Sequence, residues 1–465
     1  MLAVMLGHLG GHIFQLGILK LIGIILGYTA AHGHMGQLIL KNSQILTGQA
    51  ASASIGHIRS LLIYRSMLSM AEIILYYAAK DAAEEKMKNW QLYRMILHFL
   101  PAKGRISQSD LSENQNRTAE KILRRHRCLG ASLYLFDENG ITGSLAFGAA
   151  RKNGTPAEKD TVYRAASVSK FITALCAMKL AEQGKLDLDR DVNGYLPVSL
   201  RHPGAPDMPI TLRMLLSHTA GIHDGVSYNQ GIGRGESLSS LLKGDSFTAH
   251  LPHEKWEYSN FGAGIAGAVM EAAFNMDFET MMQEMLFQPL EVEATFYPQK
   301  VKGLLADACR ILPPQKSPNF DAEKRKSRPL PAPSVDAEQH YALAHGNACL
   351  SAENLAKLGI AGMIPGYLKE ASLIEMRKII MPFGERAHNL SQGIGTFILQ
   401  DASISPRPIY GHQGMAYGAV HGLFFDPETK KGLALLTTGA SEGRCGVLAD
   451  LNKDLITFFL GEKHG

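Results

Sequence analysis

A serine and a lysine three residues apart are the first pair in this sequence that could do chemistry. Ser167 and Lys170 lie in the stretch 165–172, and an apolar run follows them. If this stretch is helical, both side chains lie on one face with their Cβ atoms about 5–6 Å apart. A serine hydroxyl is a weak nucleophile until a neighbouring group accepts its proton. A lysine amine can accept that proton where burial lowers its pKa, so the pair is a candidate nucleophile and base.

Two further short motifs follow in order along the chain. Tyr258 and Asn260 are separated by one serine at the start of a helical pattern, and His412 and Gly414 lie among strand-forming residues. Each has an ordinary structural interpretation: a core tyrosine, an asparagine N-cap or a buried strand histidine. Their order after the Ser167 pair favours one common site.

Strand patterns lie on both sides of a helical middle. Asn139 and Gly140, between the apolar runs 131–136 and 141–147, predict a hairpin. Further strands are predicted within 394–438. This order indicates one antiparallel sheet closed by both ends of the chain, flanked by helices and carrying an inserted all-helical domain, which is an α+β fold.

The segments between the strands are predicted from local signals. Thr211 and Ser351 have the side chains of N-cap residues and precede helical patterns. Residues 228–246 and 313–339 are rich in glycine, serine, proline or charge and are predicted to be loops. Residues 107–127 are polar and are predicted to be a solvated linker that leads into a helix.

The three motifs resemble those of the serine β-lactamase and penicillin-binding-protein superfamily. The closest resemblance is to its branch of class C β-lactamases, D-alanyl-D-alanine carboxypeptidases and esterases. The class A pattern is S-x-x-K, S-D-N and K-T-G; here tyrosine begins the second motif and histidine begins the third. The similarity covers about 128–460. Glu291 and Thr438 depart from it, since glycine and asparagine are usual at these positions.

The resemblance implies a role for each motif residue. Ser167 would be the acylated nucleophile, Lys170 its proton acceptor, and Tyr258 the group that protonates the leaving group and activates water. Because a free tyrosine has a pKa of about 10, Tyr258 is expected to need the positive charge of Lys170 to act near neutral pH.

The remaining motif residues would bind substrate. Asn260 would hold a substrate amide, and His412 and Gly414 form the third motif. The backbone N–H groups of Ser167 and Met415 would form the oxyanion hole, where fixed donors contribute about 3–4 kcal/mol each. This mechanism needs no metal and no cofactor.

One tempting pair is interpreted as structural. Ser217 and His218 are adjacent in the sequence, and adjacent side chains on a helix point apart.

The chain is predicted to divide at about residue 105. Residues 106–465 would form the hydrolase domain, with a helical subdomain at about 187–340, and residues 1–105 an apolar or helical region of unknown role. The first 31 residues are a weak signal peptide and a poor membrane span, because Lys20 and other polar residues interrupt them. The stretch 60–79 is typical of an ordinary or membrane-surface helix. Met87 is an alternative start.

The composition of the chain limits the kinds of molecule that it is expected to bind. A formal net charge of +4 over 465 residues gives no reason to expect nucleic acid. Five scattered cysteines without a C-x-x-C indicate neither a disulfide framework nor a zinc site. The expected partner is a small-molecule or peptide substrate. The N-terminal apolar stretches favour membrane association, and the resemblance implies an extracytoplasmic or membrane-associated location over a cytoplasmic one.

These observations predict a serine hydrolase that cleaves an ester, a D-amino-acid peptide or a β-lactam. Histidine in the third motif offers positive charge only when protonated, which favours an esterase or peptidase over an efficient β-lactamase. Two alternatives stay open: a penicillin-recognising sensor that is acylated and turns over slowly, and an inactive relative with a scaffold role.

Overall fold

The computed structural model describes residues 104–310, 319–383 and 388–461. The predicted signal-like stretch, the apolar stretch 60–79 and the alternative start Met87 lie outside the described residues. The proposed division at residue 105 and the helical subdomain stay predictions. Within the described ranges, no helix has both the length and the apolar character that a membrane crossing requires.

A nine-stranded sheet forms the centre of the described structure, and every neighbouring pair of strands in it is antiparallel. Its order is β1-β3-β2-β12-β11-β10-β9-β8-β7. The strands of this sheet are β1 (Ile106–Ser109), β2 (Gly130–Asp137), β3 (Gly140–Gly148), β7 (Met381–Pro382), β8 (Leu390–Gln392), β9 (Phe397–Leu399), β10 (Ile409–Ala416), β11 (Ala419–Asp426) and β12 (Lys431–Thr438).

Strands from the two ends of the described chain meet within this sheet. β2 pairs with β12, so that Gly130 lies opposite Thr438 and Asp137 opposite Lys431. The hairpin predicted at Asn139 joins β2 to β3. The α+β class and the antiparallel sheet are confirmed.

Short strands also form two smaller sheets. A three-stranded sheet has the order β4-β6-β5, and a two-stranded one pairs β13 with β14. Their strands are β4 (Val162–Arg164), β5 (Ala294–Thr295), β6 (Cys349–Ser351), β13 (Arg444–Cys445) and β14 (Leu448–Ala449).

Helices cover both faces of the large sheet. On one face α10 packs on β2, β11 and β12, and on the other α12 packs on α1 and β11. The α-helices are α1 (Glu113–Arg125), α2 (Val168–Glu182), α3 (Leu212–Leu216), α4 (Val226–Gly231), α5 (Leu238–Leu241), α6 (Asn260–Phe274), α7 (Phe278–Met282), α8 (Ala322–Lys326), α9 (Ala337–Ala344), α10 (Ala352–Met363), α11 (Glu370–Arg377) and α12 (Asp450–Phe459). A π-helical turn, Gln283–Phe287, continues α7.

The central elements are buried on all sides, and their sequences show why. Seven of the eight residues of β2 are buried, because helices cover both faces of the sheet. In α2, twelve of fifteen residues are buried, since the helix is apolar all round and lies inside the core. Burial on all sides fixes α2, which carries the serine–lysine pair.

Three predictions of irregular structure are wrong. The predicted linker 107–127 contains most of β1 and all of α1, and α1 begins with a capping box between Ser112 and Gln115. The predicted loop 228–246 contains part of α4 and all of α5. In 313–339, Asp321 caps the short helix α8, its side chain accepting a hydrogen bond from the backbone of Lys324. Capping stabilises helices too short for a periodic pattern.

Other local predictions hold. Thr211 and Ser351 are the N-caps of α3 and α10. Glu291, which stands where the family usually has glycine, has a φ of 51°. The backbone there has the left-handed conformation that favours glycine.

Candidate active site

Ser167 lies at the turn that leads into α2. The preceding residue, Ala166, has a φ of 48°, which a non-glycine residue rarely adopts. Ser167 occupies the N-cap position, but its side chain makes no capping hydrogen bond to the described helix. The residue is partly exposed, and its side chain is not used to cap the helix.

Lys170 is buried, with 3% of its surface exposed, and its amine has three fixed neighbours. Nζ lies 3.2 Å from Ser167 Oγ, 2.8 Å from Asn260 Oδ1 and 2.8 Å from the backbone oxygen of His345. The last two atoms can only accept hydrogen bonds. A neutral amine that donates to both therefore turns its lone pair toward the Ser167 hydroxyl.

The surroundings of Lys170 make the neutral amine accessible. Burial lowers its pKa from 10.5 to about 7; the carboxylate of Asp224 opposes this shift, and the guanidinium of Arg164 adds to it. A base whose pKa lies near the working pH is suited to accept the proton of Ser167.

Tyr258 completes the group around the Ser167 hydroxyl. Lys170 Nζ lies 4.9 Å from the centre of its ring, and the Ser167 side chain is close enough to act on the pKa of its hydroxyl. Burial raises the pKa of Tyr258, and the Ser167 side chain opposes this only in part. The carboxylate of Asp224 adds to the rise, so the surroundings do not give Tyr258 the lowered pKa that its predicted role would need. Tyr258 keeps its proton in the resting site, and its part in the chemistry stays a prediction.

Asn260 is the first residue of α6 and is not its N-cap. The N-cap is Ser259, whose hydroxyl accepts a hydrogen bond of 2.8 Å from the Gly262 backbone. The side chain of Asn260 is therefore free of the helix, with Oδ1 at Lys170 and Nδ2 at 2.7 Å from Asp224 Oδ2.

The third motif lies on β10, against the nucleophile turn. A Cβ atom at Gly414 would lie 2.5 Å from the Ala165 backbone oxygen and 3.1 Å from the Ser167 backbone nitrogen. Only glycine allows this approach. Met415 follows Gly414 in the same strand and is partly buried.

His412 lies within the electrostatic reach of Lys170 but is buried and neutral. Its ring stacks on Phe397 at 4.2 Å between centroids, and Nδ1 lies 2.6 Å from the backbone oxygen of Gln413. Burial, together with the nearby Lys170, lowers its pKa to about 3. Because a backbone oxygen can only accept, Nδ1 carries the hydrogen. Nε2 is a buried acceptor with no hydrogen-bond partner among the described residues.

The interpretation of Ser217 and His218 as structural agrees with their contacts. Ser217 Oγ donates to the Arg213 backbone oxygen at 2.8 Å and does not pair with His218. However, the ring of His218 lies 4.5 Å from that of Tyr258, a contact that sequence reasoning missed. His218 Nδ1 accepts from the Ser259 backbone at 3.2 Å, so it helps to position the second motif.

The structure thus gathers Ser167, Tyr258 and Asn260 around the amine of Lys170 and places Gly414 against the turn that carries Ser167. Asp224 is the further polar residue at this site that sequence reasoning missed. A lone aspartate after the Ser217–His218 segment gave no signal of its own. The assigned roles of all these residues remain predictions.

Known proteins share this sequence pattern and fold. A model of the Beta-lactamase family matches residues 115–457. Esterase EstB of Burkholderia gladioli is 26% identical over 392 residues, which are 77% of this chain and 97% of the esterase. Penicillin-binding protein 4 of Amycolatopsis lactamdurans is 26% identical over 357 residues, 74% of this chain and 88% of that protein.

A solved structure supports the fold independently. The D-amino acid amidase of Ochrobactrum anthropi SV3, complexed with D-phenylalanine, matches with a TM-score of 0.58 at 22% identity. The match covers 74% of this chain and 98% of the amidase. At this identity the match establishes the shared architecture of helices and antiparallel sheet.

Proposed function

The chain belongs to the beta-lactamase family, within the serine β-lactamase and penicillin-binding-protein superfamily, and is a hydrolase of that type; we propose that it cleaves uncharged esters. The reaction would pass through an acyl-enzyme on Ser167. One observation carries the proposal. The Lys170 amine lies 3.2 Å from Ser167 Oγ, and its pKa of about 7 suits a base that works near neutral pH.

Acylation follows from the hydrogen bonds at this hydroxyl. Lys170 accepts the proton of Ser167 as Oγ bonds to the substrate carbonyl carbon, and the backbone N–H groups of Ser167 and Met415 receive the oxyanion. The bond to the leaving oxygen then breaks. Tyr258 donates its proton to that oxygen and recovers one from Lys170, so that the amine is neutral again.

Deacylation reverses these proton transfers with water as the nucleophile. Water attacks the acyl carbon and its proton passes to Lys170 through Tyr258. The bond between the carbon and Ser167 Oγ then breaks, and Oγ takes the proton back. The products are a carboxylic acid and free enzyme.

The charge at the third motif supports an uncharged substrate. A lysine there would offer a permanent cation to a substrate carboxylate, whereas His412 has a pKa lowered to about 3 and is neutral at pH 7. β-Lactams and D-alanyl peptides carry such a carboxylate, and simple esters do not. The similarity to an esterase over 97% of that protein is consistent with this preference.

Intact-mass spectrometry over time tests the proposal. The protein is mixed with p-nitrophenyl acetate and, separately, with a fluorescent penicillin, and adduct and released product are followed together. We expect a transient acetyl adduct with rapid p-nitrophenol release, both abolished in Ser167→Ala. Ser372→Ala, which removes a serine outside the site, is the matched control.

Three other outcomes would overturn the proposal. A penicillin adduct that never clears would identify the sensor. Faster turnover of the penicillin than of the ester would identify a β-lactamase. Folded protein that forms no adduct with either probe would leave the scaffold role.

His412→Lys examines the charge argument directly. The added ammonium group should raise the rate of penicillin acylation relative to that of p-nitrophenyl acetate by about tenfold, the scale of one favourable charge pair. The ratio is measured from adduct formation. An unchanged ratio would mean that the charge at position 412 does not select the substrate.

A further inference from the structure

The carboxylate of Asp224 is fixed at the start of α6 by three donors. Asp224 Oδ1 accepts from the Ser259 hydroxyl at 3.1 Å and from the Phe261 backbone at 2.9 Å, and Oδ2 accepts from Asn260 Nδ2 at 2.7 Å. A carboxylate at this position is also stabilised by the positive end of the helix dipole. Asp224 is therefore held in place by the element that carries the second motif.

These bonds determine which way the Asn260 amide points. An ionised carboxylate can only accept, so the amide nitrogen of Asn260 must face Asp224. The amide oxygen is then left for Lys170, at 2.8 Å. With a neutral partner at position 224, either orientation of the amide would find a hydrogen bond.

The charge of Asp224 also acts on Lys170. Burial is the larger effect and lowers the pKa of Lys170, and the Asp224 carboxylate opposes it. Several titratable groups face the amine from other elements: Arg164, His218, Tyr258, His345 and His412. Lys170 lowers the pKa of all three of these histidines, which burial already depresses, and burial raises that of Tyr258. Asp224 is thus the anion that acts on this amine near neutral pH.

We propose that Asp224 is a positioning residue for the hydrolytic site: it orients the Asn260 amide toward Lys170 and places a negative charge near the amine. This inference rests on the proposed function, because it concerns the same base. It adds a residue that lies outside the three motifs and contacts the reacting atoms only through others.

Labelling by a fluorophosphonate tests the inference without knowledge of the natural substrate. Ser167 Oγ bonds to phosphorus, the P–F bond breaks, fluoride leaves, and the serine proton passes to Lys170. The labelling rate of the full chain is measured by intact mass from pH 5 to pH 9. It reports the fraction of neutral Lys170.

Asp224→Asn should move the acid limb of this profile to lower pH. Loss of the anion lowers the pKa of the neighbouring cation, by about one pH unit for a charge at this range. The plateau rate should fall about tenfold, because the Asn260 amide is then free to turn.

Two variants separate this role from a purely structural one. Ser259→Ala removes a cap hydroxyl and a hydrogen bond to Asp224 but keeps the charge, so it should lower the melting temperature and leave the acid limb in place. Asp245→Asn removes an exposed carboxylate that accepts from Ser227. It should leave the whole profile unchanged.

The outcomes distinguish the two proposals. Wild-type protein that is not labelled at Ser167 would overturn the proposed function. Labelled wild type together with an Asp224→Asn profile that keeps its acid limb would overturn only the role of Asp224. An acid limb that moves equally in Asp245→Asn would assign the shift to net charge and would also overturn the role of Asp224.

Discussion

The two ends of α6 each lie beside a basic side chain, the buried Lys170 and the partly buried His340, and their surroundings act on the pKa values of these groups in opposite directions. At the start of the helix, burial lowers the pKa of Lys170 to about 7. At its other end, the Glu271 carboxylate accepts from His340 Nδ1 at 2.9 Å and raises the pKa of that histidine. Glu271 is completely buried.

The two basic groups differ in the charge of their hydrogen-bond partners. Lys170 donates to two neutral acceptors, an amide oxygen and a backbone oxygen. The anion that acts on it, Asp224, is hydrogen-bonded to the Asn260 side chain. His340 is hydrogen-bonded directly to a carboxylate, and Asp277 Oδ2 lies 3.8 Å away. A buried cation with neutral partners tends to lose its proton, whereas one paired with an anion keeps it. The first arrangement suits a base and the second suits a structural link.

Lys170→Met is the strongest test of this comparison. It removes the base, so kcat/KM for p-nitrophenyl acetate should fall about 10³-fold. The free energy of unfolding should not fall, since the amine forms no direct ion pair and an apolar side chain suits its site. Rates and urea unfolding at pH 8 measure both. A loss of several kcal/mol of stability would show that Lys170 is also a structural link.

Glu271→Ala should have the opposite pattern. It leaves His340 without its carboxylate and the Asp336 backbone N–H without its acceptor. The free energy of unfolding should fall by about 3 kcal/mol, as for a broken buried pair. Well below the unfolding transition, kcat/KM should stay near that of the wild type. Glu284→Ala, at an exposed glutamate, is the control; a large loss of activity in Glu271→Ala alone would break the comparison.

The pH dependence of activity should follow Lys170 and not His340. With a pKa lowered to about 7, the lysine is protonated at low pH, and kcat/KM should fall about tenfold for each pH unit below that value. Between pH 5 and pH 9 the profile of His340→Gln should match that of the wild type. An acid limb that disappears in His340→Gln would show that His340, and not Lys170, is the titrating group.

The smallest expected effect is the contribution of His340 to the pH dependence of stability. Its pKa is raised above 6.5 by Glu271, and Asp277 and Asp336 add to this. The contribution to stability is therefore complete below the unfolded value and is lost as the pH rises through the folded one. The slope is at most about 1.4 kcal/mol per pH unit. The free energies of unfolding of the wild type and of His340→Gln, measured in urea, should differ below the unfolded pKa of His340 and converge above its folded pKa.

The contacts that the sequence predicts join residues that are close together in the chain, and the contacts that it misses join residues that are far apart. The pairing of Ser167 with Lys170, the Asn139–Gly140 hairpin and the caps at Thr211 and Ser351 depend on neighbouring residues. Asp224 reaches Asn260 across 36 positions.

Other contacts at the site also depend on tertiary packing. The His345 oxygen reaches Lys170 across 175 positions. Likewise, the raised pKa of Tyr258 comes from burial, which no spacing of motifs reveals. The short elements β1 and α8 were missed because four or five residues are too few for a periodic pattern.

The pairing of β2 with β12 has a consequence for biosynthesis. The ribosome synthesises β2 early and β12 late, so β2 waits for this partner while most of the chain is made. Such long-range pairing slows folding and leaves apolar strand edges open to wrong partners, which is where chaperones act. Gly414 also emerges late, after the helix that bears Ser167. A nascent chain stalled between these points would carry the nucleophile but lack the strand that holds it in place.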